Sequence, residues 1–245
     1  MNFPKRTVLL TCAVLVFCFS FPALAAEKKP EDVFVVKDGE WVLQAGGEPE
    51  GAGGASPDEG MWWYAVDPEN DPAARGLERG ILLYDAAAEK GSYSFLPTTE
   101  EQTRVEQVFF GPDKKRMVVA CNLNRFASGL SVYDLATLEL EKSFWGRSDV
   151  WFVDDIRFAF TLIEQTVGRP ETAGMWATSA ALYEPADDTG YVILKEASAT
   201  ESFEVTGADE SGITITVTSV KSEKDWEDFD KQQDSDITVE IPAAG

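Results

Sequence analysis

Carboxylates, hydroxyls, lysines and aromatic rings are the groups this chain has for chemistry, because its sequence contains no histidine. That absence removes Ser-His-Asp and Cys-His catalysis and every histidine-held metal site. No glycine-rich phosphate loop precedes a helix either, and nothing calls for a cofactor. Paired carboxylates can run glycoside hydrolysis, which needs two acids roughly 5–10 Å apart across a cleft. Among 43 acidic residues such a pair is inevitable, so spacing alone selects none. Asp154-Asp155 and Asp187-Asp188 fall where hairpin turns are expected, and aspartate favours turns by bonding its own backbone.

Calcium is a second use for acidic loops. Asp67, Glu69 and Asp71 alternate, with Glu78 at the twelfth position, which suits part of a calcium loop. Pro72 stands where such a loop needs glycine, and no helix pair flanks it. Aromatics are the third lead. Trp62, Trp63 and Tyr64 are adjacent, so in a strand Trp62 and Tyr64 face one way and Trp63 the other. They read either as core or as a stacking platform for a sugar or peptide, with Trp62 and Trp63 the candidate binding residues. Cys121 lies in the apolar run Met117 to Cys121 and reads as a buried side chain.

These residues need strands to hold them, and the strands repeat. Gly80 to Asp85, Gly129 to Asp134 and Ser179 to Glu184 each end in tyrosine and an acid. The tyrosines, Tyr84, Tyr133 and Tyr183, lie 49 and then 50 residues apart. An apolar residue follows each by 11 positions: Phe95, Phe144 and Leu194. A period of this size marks a stacked unit that cannot bury its faces alone. One full unit runs from Val105 to Trp145 as a four-stranded antiparallel meander with hairpin-length connections. Several strands are apolar on consecutive positions, which predicts cover on both faces.

The phrase Phe110-Gly-Pro-Asp-Lys-Lys-Arg-Met-Val-Val119, followed by Ser131-Val-Tyr-Asp-Leu-Ala-Thr137, resembles the blades of β-propellers. The likeness covers residues 105–145 well and 61–97 and 150–217 moderately. It implies an all-β fold of about four propeller-like units and specifies no activity. A β-sandwich of the same hairpins is the structural alternative. Val33 to Val36 lies about 50 residues before Tyr84, where an extra strand is expected, and such a strand could pair with the last unit and close the ring. Ser222 and Asp225 are spaced like a capping box, which predicts a short helix near the C-terminus, its Trp226 and Phe229 side packed on the domain.

Residues 1–25 read as a cleaved signal peptide: Lys5 and Arg6, an apolar run from Val8 to Phe21, then Ala23-Leu24-Ala25. Residues 26–245 are expected to form one propeller-like domain, periplasmic or secreted, with no stable membrane anchor after cleavage. Six glycines among residues 46–60 mark a flexible loop. Of 21 Lys and Arg, two leave with the leader, so 19 basic residues face 43 acidic ones, a balance of −24. Such a surface repels nucleic acid and suits cationic partners. The function that fits is an exported, non-catalytic module for a protein partner or a small ligand. A carboxylate-only enzyme acting on carbohydrate and a calcium-stabilised envelope protein stay open beside it. Function is expected where the units differ: Gly46–Gly60, Asp67–Glu78, Thr166–Gly174 and Ser222–Asp236.

Overall fold

The computed structural model describes residues 33–37, 40–44, 53–70, 74–85, 92–98, 104–124, 127–168 and 176–243. The signal-peptide reading, residues 46–52 of the glycine-rich loop and residues 169–175 lie outside them. The chain divides into two compact units, Met1–Glu101 and Gln102–Gly245.

In the first unit β1 (Val33–Lys37) pairs antiparallel with β2 (Glu40–Gln44). A two-residue connection lets the two strands pair locally, without the entropy of a long closure. A four-stranded meander follows, β3 (Gly53–Ala55), β4 (Met61–Val66), β5 (Gly80–Asp85) and β6 (Ser92–Pro97), neighbours in chain order. One face of β4 and β5 gathers Tyr64, Val66, Leu82 and Tyr84 with Ala74, and Trp62 packs against them.

The second unit begins with β7 (Val105–Phe110), β8 (Arg116–Asn124), β9 (Ala127–Asp134) and β10 (Leu140–Phe152). It continues with β11 (Phe158–Gly168), β12 (Trp176–Tyr183) and β13 (Tyr191–Lys195). All seven form one antiparallel sheet in chain order. The long strand β10 belongs to two meanders at once. Leu140 to Gly146 pairs with β9, and Gly146 to Phe152 pairs with β11, with a register shift between Gly146 and Val150.

The two halves of this sheet pack face to face. Val118, Leu130 and Phe144 from the first half meet Phe158, Phe160 and Tyr183 from the second. The Phe144 and Phe160 rings are 5.2 Å apart, and Phe158 stacks on Tyr183 at 4.8 Å. A third layer, β14 (Glu201–Asp209), β15 (Gly212–Ser219) and β16 (Gln233–Val239), lies on the opposite face of β11 and β12. There Ala159, Ala180 and Leu182 meet Phe203, Val205, Ile213 and Ile215. Both faces of β11 and β12 are therefore covered, which accounts for their uninterrupted apolar runs. The hydroxyl of Thr161, inside this stack, accepts the Val205 N–H at 2.9 Å, so burial leaves it satisfied.

The fold is all-β, built of propeller-like antiparallel meanders. Tyr84, Tyr133 and Tyr183 each sit on the third strand of a four-stranded meander, all three buried. The acid after each of the last two enters a turn: Asp134 accepts the N–H groups of Ala136 and Thr137, and Glu184 that of Ala186. The Gly111-Pro-Asp turn forms as the sequence implies, with Lys114 at φ 56° and Asp113 accepting the Lys115 N–H.

Candidate functional site

The two acidic pairs do their bonding at home. Asp154 accepts the N–H groups of Ile156 and Arg157 at 2.8 and 2.7 Å and the Arg157 Nε at 2.6 Å. Burial opposes its charge, but the Arg157 and Ile156 bonds outweigh that and hold the carboxyl below its usual range. Asp187 accepts the Thr189 hydroxyl and N–H, which lower it likewise. A catalytic acid needs the opposite shift, toward neutrality. Cys121 is equally unreactive: burial first, and the nearby Glu106 charge second, push its thiol up to about 12.

At the calcium candidates, Asp67 closes its own turn by accepting the Glu69 and Asn70 N–H groups. Arg79 then reaches both carboxylates, at 2.7 Å from Glu69 and 3.5 Å from Asp67. Its guanidinium supplies the positive charge these carboxylates call for, a partner that spacing alone did not single out. Asp71 and Pro72 lie outside the described residues, and those described bring no three metal-type ligands together.

The aromatic run alternates as predicted. Trp63 is 1% exposed, with its indole nitrogen close over Gly54, where a Cβ would come within 2.9 Å. Trp62 is half-buried and donates its indole N–H to the Glu59 carbonyl. Of the two candidates, Trp62 alone has surface to offer.

Ser222 to Asp236 departs most from its predicted form. In place of one helix, two short 3-10 turns form, Glu223–Glu227 and Phe229–Lys231. The capping-box pair does meet, but side chain to side chain, the Ser222 hydroxyl donating to Asp225 Oδ2 at 2.7 Å. An α-helical turn would have taken that oxygen for its own N–H groups. Trp226 is buried as expected and donates its indole N–H to the Ala199 carbonyl at 2.8 Å. Gln232 donates to the Trp226 carbonyl, and Lys231 spans Asp225 and Asp228 at 3.0 and 3.4 Å.

Phe229, expected on the packed side, stands 77% exposed at the tip of this pinned knuckle, between Asp228 and Asp230. The break between the two turns rotates it away from Trp226. Strand β16 begins directly after and carries Asp234 and Asp236 on its outer side. Their register partners Thr218 and Thr216 share that side, while Ile237 and Val239 turn inward.

Several solved structures resemble this chain, a β-propeller domain among them. The β-propeller domain of the trilobed protease from Pyrococcus furiosus matches at 11% identity and TM-score 0.48, over 86% of this chain and 67% of its own. An acylaminoacyl peptidase from Pyrococcus horikoshii matches at 12% identity and TM-score 0.48, over 85% of this chain. This chain spans 34% of that peptidase. A putative TolB from Agrobacterium tumefaciens matches at 14% identity and TM-score 0.41, over 84% of this chain and 65% of its own. No family model and no curated protein sequence matches.

Proposed function

We propose that the protein is an exported, non-catalytic module that binds a cationic protein partner, with the Phe229 knuckle as its anchor. The observation that carries this reading is a phenylalanine 77% exposed on a backbone that its neighbours hold still. Leaving such a ring in water forgoes about 2 kcal/mol of burial. A partner pocket recovers it, and the fixed turns spare the cost of ordering a loop on binding. Asp228 and Asp230 beside the ring, on a chain of net charge −22, make the rim complementary to lysine and arginine.

The leader-like residues 1–25 support export to the periplasm or the medium. Among the described residues no helix is long and apolar enough to cross a membrane.

The test compares wild type with Phe229→Ala. Both should unfold within about 0.5 kcal/mol of each other, as surface substitutions do. The variant should bind a captured basic partner at least about tenfold more weakly, as loss of an aromatic anchor implies. Equal retention of that partner by the two proteins overturns the reading.

A further inference from the structure

We infer that the free edge of β16 is a strand-acceptor site for an extended basic segment of a protein partner. The inference rests on the cationic partner proposed above and supplies the way it is held.

Its first support is the strand count. The meanders β3–β6, β7–β10 and β10–β13 each hold four strands, whereas β14–β16 holds three. β16 ends that sheet, and its side away from β15 is an edge. Among the described residues nothing pairs with that edge, which presents a row of backbone donors and acceptors over Gln233–Val239.

The second support is the core beneath it. Ile237 and Val239 pack on the cluster of Phe203, Ile213 and Ile215, yet remain only partly buried at its rim. A neighbouring strand with apolar residues on its inner side would extend this cluster and cover them. The third is charge. Strands β14–β16 carry Glu201, Glu204, Asp209, Asp234 and Asp236 and no lysine or arginine. Asp234 and Asp236 lie outward along the free strand, where alternate residues of an added strand would face them.

The geometry thus specifies the partner's chemistry: an extended segment alternating apolar with lysine or arginine residues, added by main-chain pairing. Gln233–Val239 holds no proline and no lysine; the charges that guard this edge are the acids Asp234 and Asp236, which a basic strand would match rather than meet as repulsion.

The probe is a short peptide of alternating valine and lysine. Its control has the same charge but proline in place of each valine, which cannot pair as a strand. The first peptide should bind the full chain at least tenfold more tightly and slow amide exchange at residues 233–239 by at least tenfold. Asp234→Lys combined with Asp236→Lys should reverse the preference toward a valine–glutamate peptide. Equal binding of the lysine peptide and its proline control, or binding by neither, overturns the proposal, and so does self-association through β16 that excludes the peptide. Phe229→Ala should leave peptide binding within twofold. Loss of the basic partner in that variant with the peptide unaffected separates the anchor reading from the strand-acceptor inference, so each stands or falls by itself.

Discussion

Gly146 carries more of the second unit than its size suggests. It is the residue at which β10 passes from pairing with Ser128 of β9 to pairing with Leu162 of β11. A Cβ there would lie 2.5 Å from the Thr161 carbonyl oxygen and 2.9 Å from Leu130 Cδ1. The first obstacle is backbone and cannot rotate away, so the strands themselves would have to part. Gly146→Ala should therefore destabilise by roughly 1–3 kcal/mol, as overpacking does. In a chain of this length that lowers the thermal midpoint by about 2–12 °C. An unchanged midpoint by circular dichroism would show that the sheet halves yield at this point. The candidate residues differ in the same way in how far their neighbours betray them. Cys121 announced burial by its apolar neighbours, and it is buried; Trp63 read either as core or as platform, and its 1% exposure puts it in the core. Arg79 gave no such signal, because an arginine ten residues from Glu69 has no spacing rule that ties it to that carboxylate.

At the scale of elements, strands were more legible than their boundaries. The recurring tyrosine located three third strands, since a repeat reports on itself whatever its context. The merger of two meanders through β10 was hidden because the unit was read as ending at Trp145, before the glycine, serine and aspartate of Gly146-Arg-Ser-Asp149. In the fold the same residues form an irregularity inside one strand, a role that glycine serves equally well. The knuckle misled in a similar way. Ser222 and Asp225 have capping-box spacing, but a 3-10 turn satisfies them through each other, and the aromatic pair splits between core and solvent. Trp226 is what fixes this element. Trp226→Phe keeps a ring in place and loses the bond to Ala199, at a cost of about 1 kcal/mol. Trp226→Ala opens a cavity and should cost about 3–5 kcal/mol. Urea unfolding of the two variants would separate packing from hydrogen bonding; equal losses would mean that the indole bond carries the element.

For the whole molecule, charge and turn chemistry pull stability in opposite directions with pH. The balance of −22 at neutrality strains any compact state by self-repulsion, and salt screens it with a Debye length of about 10 Å at 0.1 M. Added sodium chloride at pH 7 should therefore raise the thermal midpoint. Against this stand the aspartates that close turns. Asp134 is lowered by the Thr137 and Ala136 bonds, Asp209 by Ser211, and Asp225 by Ser222 and Lys231. Asp154 is lowered by its Arg157 and Ile156 contacts in spite of burial. Each has a folded pKa below the ordinary aspartate value of 3.8, so in the acid range the unfolded chain binds more protons than the folded one. The stability they confer is present in full above the unfolded pKa and is lost as pH falls through the folded values. The two effects predict a stability maximum on the acid side of neutrality and a steep decline below about pH 4, where turns between β9 and β10 and between β14 and β15 give up their carboxylate bonds. Unfolding midpoints measured from pH 7 to pH 2 at low and high salt would test this. If salt lowers the midpoint at pH 7, attractions between opposite charges outweigh the self-repulsion of the acidic surface. If stability persists unchanged to pH 2, the turn aspartates contribute nothing to the fold.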